Sequence, residues 1–164
     1  MFSKKMKDAM NDHLNAELYA AYLYLSMAAY FCSIHLSGFS NWMREQSREE
    51  MSHAMRFYEF IHDRGGRVVL QAIDQPPVDF KSPLDAFEQT LENERAVTAE
   101  INKLYTHAVK EKDYASEVFL QWFVTEQVEE EKSAGEVVEA LKMIGDAGPA
   151  LLMFDRELGK REAE

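Results

Sequence analysis

Four glutamates lie at similar heights on four predicted helices, and each interrupts a row of apolar residues. The rows follow the spacing of three and four residues that places side chains on one face of an α-helix. The first row, for example, reads Met10, Leu14, Glu17, Ala21, Tyr24, Ala28 and Phe31. The corresponding acids of the other rows are Glu50, Glu94 and Glu130. Because each row is the face that a helix buries, we expect the four carboxylates to meet at one level of a shared core.

A histidine and a glutamine stand one turn from these acids. His53 follows Glu50 by three residues, and Gln127 precedes Glu130 by three, so each pair shares one helical face. Buried carboxylates without compensation would destabilise the fold strongly. They could share protons, pair with basic groups or bind cations, but the four rows contain no lysine or arginine. Metal binding is the simplest of these solutions.

The ligand types favour a redox metal. Carboxylate-rich sites with one imidazole suit iron or manganese, whereas copper and structural zinc prefer more nitrogen or sulfur. Two ions bridged by shared carboxylates would keep positions open for oxygen or peroxide. For any one glutamate the alternative is a solvated helix face, and for His53 it is a core histidine with satisfied hydrogen bonds. The coincidence of four interruptions at matching heights favours the buried site.

The composition narrows the possible partners. The chain has 164 residues, 46% of them hydrophobic, and a net charge of −11, which fits one domain with a substantial core. The negative charge argues against nucleic-acid and membrane partners and favours cations. The long apolar run over residues 18–32 is too short to cross a bilayer. One cysteine, Cys32, cannot form an internal disulfide, and a cytoplasmic location is expected.

Glycine and proline positions divide the chain into five predicted helices. These cover about residues 3–35, 40–64, 82–112, 113–144 and 149–158. Short connections make the first two helices, and likewise the third and fourth, antiparallel neighbours. The connection over residues 66–81 can extend about 50 Å, whereas a 25-residue helix is about 38 Å long. We therefore expect an all-α fold: an up-down-down-up four-helix bundle over about residues 3–144, with one long crossover and a short fifth helix.

These residues resemble the ferritin family, and above all its non-haem prokaryotic members. The resemblance runs from about residue 4 to residue 158 and lies in the segments "LNAELYAAYLYLSMAAYF", "GFSNWMREQSREEMSHAMRFYEFI", "DRGGRV" and "FLQWFVTEQVEEE". Their combination is specific, whereas a lone Glu-x-x-His would be weak evidence. The resemblance implies one ferritin-like di-iron domain over residues 1–164.

The resemblance also implies roles for the buried acids. Glu17, Glu50 and His53 correspond to a first iron site, and Glu50 would bridge to a second site with Glu94 and Glu130. Gln127 corresponds to a residue that would hydrogen-bond near the two irons. Tyr24 corresponds to the tyrosine beside the di-iron centre. The members of a third iron site found in prokaryotic ferritins correspond to Glu49, Glu126, Glu129 and Glu130. From spacing alone, Tyr24 could equally be a core tyrosine, and the third set could be solvated surface acids.

Two features of the sequence indicate which ferritin subfamily the chain resembles. Bacterioferritins carry a second Glu-x-x-His on the fourth helix, where this chain has Gln127 and Glu130, and animal heavy chains usually lack an acid matching Glu130. Met51 stands where bacterioferritins place a haem-ligating methionine, but a surface or interface methionine is commoner, and haem is not expected. The remaining histidines share no metal-binding spacing and are not assigned to the site: His13, His35, His62 and His107.

The implied function is iron storage with ferroxidase activity. Fe(II) would be oxidised at the di-iron centre by oxygen or hydrogen peroxide, and Fe(III) would be stored as mineral inside a closed homo-oligomeric cage of 24 subunits. Two alternatives stay open. A stand-alone di-iron or di-manganese oxidase or peroxidase would be a monomer or dimer with a second histidine ligand. A purely structural helical assembly would show no metal dependence.

Overall fold

The structure, a computed structural model, describes residues 2–162 and folds that range into five α-helices. They are α1 (Lys4–Ser33), α2 (Ser37–Asp63), α3 (Pro83–Glu111), α4 (Tyr114–Ile144) and α5 (Gly148–Leu158). Helix α1 packs along α2, α3 packs along α4, and α1 also contacts α3. The predicted architecture of four long helices and one short helix is confirmed.

Side-chain caps explain where two of the long helices begin. The Ser3 hydroxyl accepts a hydrogen bond from the Met6 amide at 3.0 Å at the start of α1. The Ser82 hydroxyl accepts one from the Asp85 amide at 3.1 Å at the start of α3. Pro83 follows at the first helical position, where its missing N–H has no partner to lose. Both starts match the sequence signals for helix N-termini.

Helix α2 begins three residues earlier than predicted, and a distant side chain explains the difference. Its cap residue Leu36 makes no side-chain hydrogen bond. Instead, Asp155 Oδ1 in α5 accepts from the amides of Gly38 at 2.8 Å and Phe39 at 3.0 Å. The first turn from Ser37 is therefore satisfied by a tertiary contact that the local sequence could not indicate.

The crossover over residues 66–80 contains no helix or strand and follows α1 along the bundle. Near its start, the Asn11 side chain donates to the Arg67 carbonyl at 3.2 Å. Near its end, the Ser26 hydroxyl donates to the Pro77 carbonyl at 2.6 Å. The chain thus passes from one end of α1 toward the other before α3 begins. This path produces the up-down-down-up order predicted from the length of the connection.

The core is divided in two by a layer of buried polar side chains. One apolar cluster includes Tyr24, Phe31, Phe39, Trp42 and Phe87. The other includes Met6, Met10, Leu14, Phe57, Ile61, Ile101, Leu120 and Phe123. In each long helix the polar positions fall between the residues of these two clusters. The polar layer therefore crosses the bundle at one height, with apolar packing above and below it.

The surface carries several large apolar side chains. Those exposed on α1 and the crossover include Tyr22, Leu25, Val69, Leu70, Ile73 and Val78. Cys32 is also exposed, and Met51 is 47% exposed on α2. None of the helices described between residues 2 and 162 is both long and apolar enough to cross a membrane.

Candidate metal centre

The six polar residues predicted at the middle of the bundle are all buried. Their exposed fractions are 0% for Glu17, 2% for Glu50, 4% for His53, 1% for Glu94, 2% for Gln127 and 6% for Glu130. Acids this deeply buried are rare unless they are paired or bind a cation. The burial therefore excludes the alternative in which these four glutamates form solvated helix faces.

Two groups of ligand atoms converge within this layer. Glu17, Glu50 and His53 each offer an atom within 4.8 Å of the others. Glu50, Glu94 and Glu130 do the same. Glu50 belongs to both groups, so its carboxylate adjoins both sets of candidate ligands. Each cation would receive mainly oxygen ligands and one of the two an imidazole, a donor set that suits iron.

Imidazoles surround the carboxylate contributed by α1. Glu17 Oε1 lies 2.8 Å from His13 Nε2, and Glu17 Oε2 lies 3.9 Å from His53 Nδ1. Burial is the largest single influence and would raise the pKa of Glu17, but the charge and hydrogen bond of His13, a hydrogen bond with Glu50 and the charge of His53 together lower it. Burial would lower the pKa of His13, yet the carboxylates of Glu17 and Glu100 together raise it to about 9. Glu17 is therefore held as an anion between cationic imidazoles.

Neutral donors surround the carboxylate contributed by α3. The Tyr24 hydroxyl donates a hydrogen bond to Glu94 Oε1. Gln127 Nε2 lies 3.3 Å from Glu94 Oε2 and also donates to the Glu94 carbonyl at 3.1 Å. The structure thus places Tyr24 and Gln127 in the layer as partners of one candidate ligand.

A glutamine of α2 links the candidate ligands of two helices. Gln46 Nε2 donates to Glu130 Oε2 at 2.6 Å and to Glu50 Oε1 at 3.1 Å. Burial, reinforced by neighbouring carboxylates, raises the pKa of Glu94 and of Glu130 to about 8 and the pKa of Glu50 well above its usual value. These acids therefore hold protons in the metal-free protein, and a bound cation would displace the protons.

The predicted third set of acids is only partly gathered. Glu126 joins His53 and Glu130 in a further group of ligand atoms within 4.8 Å of one another. Within residues 2–162, neither Glu49 nor Glu129 belongs to any of the three groups. Glu129 is exposed, whereas Glu126 is half-buried. A third iron site on these residues stays a prediction.

Sequence reasoning missed three residues that contact the candidate ligands. His13 precedes Glu17 by four residues, so its spacing from an acid could have marked it, although it shares no spacing with the other histidines. Gln46 stands one turn before Glu50 in the same row. Arg161 had no local signal, because it reaches α2 from 112 residues away in sequence.

Comparison with known proteins finds relatives along almost the whole chain. The ferritin family model, described as a ferritin-like domain, matches residues 7–144. The chain is 42% identical over 161 residues to a bacterial non-heme ferritin of Bacteroides fragilis, covering 98% of this chain and 100% of that protein. It is 40% identical over 161 residues to one of Staphylococcus aureus, covering 98% and 97%. The open-pore ferritin of the hyperthermophilic archaeon Archaeoglobus fulgidus matches with a TM-score of 0.98 and 54% identity, covering 99% of this chain and 100% of that one.

Proposed function

The chain belongs to the ferritin family, and we propose that it stores iron by oxidising Fe(II) within the buried polar layer and retaining the Fe(III) product. The observation that carries this proposal is the position of Glu50 in both converging groups of ligand atoms. A carboxylate shared in this way brings two irons close enough to react with one oxidant molecule. Iron is the substrate here, since the oxidised ion moves on to storage.

The ligand roles follow from the two groups. Glu17, His53 and Glu50 bind one Fe(II), and Glu50, Glu94 and Glu130 bind the other. Each Fe(II) loses one electron, so the pair delivers the two electrons that, with two protons, reduce oxygen to hydrogen peroxide. With hydrogen peroxide as the oxidant, the same two electrons and two protons yield water. Anionic oxygen ligands favour the product, because Coulomb attraction is stronger for the trivalent ion.

Neighbouring residues hold these ligands in place. Tyr24 and Gln127 fix the Glu94 carboxylate through hydrogen bonds, and such outer partners orient ligands and tune their basicity. A third iron would bind on the outward side of the layer, at Glu49, Glu126 and Glu129 with Glu130. Its ligands are better solvated than those of the buried pair, so its affinity is lower.

The rival functions fit these residues less well. A stand-alone di-iron or di-manganese oxidase or peroxidase with a second histidine ligand would need that histidine on α4, where Gln127 instead donates to Glu94. A purely structural assembly would not explain why four carboxylates are only 0% to 6% exposed, because desolvation of these groups opposes folding. Ferroxidase chemistry accounts for both features.

Storage requires a cage, and we infer that 24 subunits of 18.9 kDa assemble into a closed shell of about 454 kDa. Exposed apolar side chains on α1 and the crossover support an assembly, because patches of this kind usually mark contacts between chains. Tyr22 and Leu25 are each 49% exposed and Leu70 is 64% exposed in the isolated subunit. Residues 1–164 would act as one domain of this shell, in the cytoplasm.

Replacing the shared ligand tests the proposal. Glu50→Ala removes a ligand from both irons, so we expect the initial rate of Fe(II) oxidation to fall at least about tenfold. Glu59→Ala removes the same charge from an exposed position of α2 and serves as the control. Oxygen uptake after Fe(II) addition measures both variants. Equal rates in Glu50→Ala and wild type would refute the di-iron assignment.

A further inference from the structure

Arg161 lies just beyond α5 and reaches back to α2 beside the metal centre. Its Nη2 donates to Glu49 Oε2 at 2.6 Å, and its Nη1 donates to Gln46 Oε1 at 2.9 Å. Its guanidinium carbon lies 4.4 Å from the centroid of the Trp42 ring. The Arg161 carbonyl accepts from Asn41 Nδ2 at 3.0 Å. Four side chains of one helix therefore hold this arginine, whose own side chain is only 20% exposed.

The docking of α5 determines where Arg161 lies. Asp155 accepts from the amides of Gly38 and Phe39 at the start of α2. The two backbones approach so closely that a Cβ on Gly38 would stand 1.6 Å from the Asp155 carbonyl oxygen. Leu158, the last residue of α5, is buried in the core. These contacts fix the register of α5 and deliver Arg161 to the face of α2 that borders the metal centre.

The two terminal nitrogens of the guanidinium bind different residues, Gln46 and Glu49. Gln46 is 0% exposed, and with its oxygen bound to Arg161 its amide nitrogen faces Glu50 and Glu130. The other arm neutralises Glu49, an acid of the proposed third iron site. Arginine stays charged at all relevant pH values, and its planar fork suits this paired recognition. A divalent cation that uses Glu49 must therefore displace a cation that the chain itself supplies.

We propose that Arg161 is a built-in competitor of the third iron, occupying Glu49 until a divalent cation displaces it. The inference rests on the proposed function, since it presumes that Glu49 contributes to a third cation site. Competition weakens that site relative to the buried pair, so the pair fills first. When Arg161 returns to Glu49, it promotes release of the third ion.

The test is an anaerobic calorimetric titration of the assembled, metal-free protein with Fe(II). In Arg161→Gln we expect the third ion to bind about tenfold more tightly than in wild type, the gain from removing one charge-assisted hydrogen bond. The matched control is Arg156→Gln, which removes the same charge from an exposed position of α5 and should behave as wild type. Arg161→Lys keeps the charge without the planar guanidinium, so its affinity for the third ion should lie between that of wild type and that of Arg161→Gln.

A double-mutant cycle isolates the competition. In a Glu49→Gln background, Arg161→Gln should leave binding of the third ion unchanged, because the competitor has lost its target. A third ion that appears only in Arg161→Gln would support the inference. A third ion bound equally by wild type and Arg161→Gln, or two ions bound by every variant, would overturn it while leaving the buried pair established. If no protein binds Fe(II) at all, the proposed function itself fails.

Discussion

The two halves of the metal centre are equally buried, but their carboxylates have different neighbours. In the half that contains Glu17, imidazoles of His13 and His53 lie close to the acid. In the half that contains Glu94 and Glu130, the hydrogen-bond partners are the neutral groups of Tyr24, Gln127 and Gln46. The pKa of Glu17 is lowered, whereas the pKa of Glu94 and of Glu130 is raised to about 8.

This contrast shows that the free-energy cost of burying acids is offset in two different ways within one layer. The first half keeps its acid ionised by pairing it with buried cations. The second half keeps its acids protonated until a metal arrives. The two halves should therefore respond in opposite ways when an acid is removed from the metal-free protein.

The largest difference is expected from removing one acid of each half. Glu17→Gln removes an anion that His13 and His53 share and leaves His13 with Glu100 and His53 with Glu50, so the free energy of unfolding should fall by about 3 kcal/mol, the upper range for a hydrogen bond between charged groups. Glu94→Gln removes an acid that costs free energy to bury in charged form, so the metal-free protein should be as stable as wild type or more stable. Thermal and denaturant unfolding of the metal-free variants compare them. A similar loss in both variants would contradict the distinction between the halves.

The pH dependence of stability should be the next largest effect. Glu94 and Glu130 have a raised pKa of about 8 in the folded protein, so they contribute stability that is complete below about pH 4.5 and is lost as the pH rises through 8. The metal-free protein should lose at least about 2 kcal/mol from pH 5.5 to pH 8.5, since one pKa unit corresponds to about 1.4 kcal/mol. His13 and His53, raised to about 9, add a loss of the same sign at higher pH.

The control for this prediction removes the titrating acids. In Glu94→Gln with Glu130→Gln, the loss of stability between pH 5.5 and pH 8.5 should shrink. An equally steep decline in the double variant would mean that other groups cause the pH dependence.

A smaller effect should follow from changing the partner of Glu17. His13→Leu removes the group that orients the Glu17 carboxylate, and the affinity for the first Fe(II) should fall about tenfold. His13→Gln keeps an N–H donor on a side chain of similar reach and should recover most of that affinity. Anaerobic Fe(II) titration measures both variants. If the leucine variant binds Fe(II) as wild type does, His13 plays no part in positioning Glu17.

The sequence predicted the helices and the level of the acids because both depend on local periodicity. The row containing Glu17 needs only the helical repeat, and the start of α3 needs only Ser82 and the proline after it. The start of α2 was predicted wrongly because its first turn depends on Asp155, in another helix. Arg161 escaped prediction for the same reason, since its partners on α2 are distant in sequence.

The different neighbours of the two halves were also beyond the sequence. Spacing placed Glu17 and Glu94 at one height, and the spacing of four residues from His13 to Glu17 could have indicated their contact, but spacing could not predict the neutral partners that Glu94 receives from other helices. His13 lies on α1 beside the row, and only the packed structure brings Glu100 of α3 to 3.3 Å from its ring. The pKa directions depend on such contacts between helices.

The central claim is that each subunit holds two irons that share Glu50. Anaerobic Fe(II) titration of the assembled protein, followed by Mössbauer spectroscopy after one addition of oxygen, tests it most directly. We predict that the first, tight binding phase ends at two Fe(II) per subunit, and that oxidation yields magnetically coupled Fe(III) pairs. Tight binding of only one Fe(II) per subunit, or oxidation to isolated, uncoupled Fe(III), would contradict it.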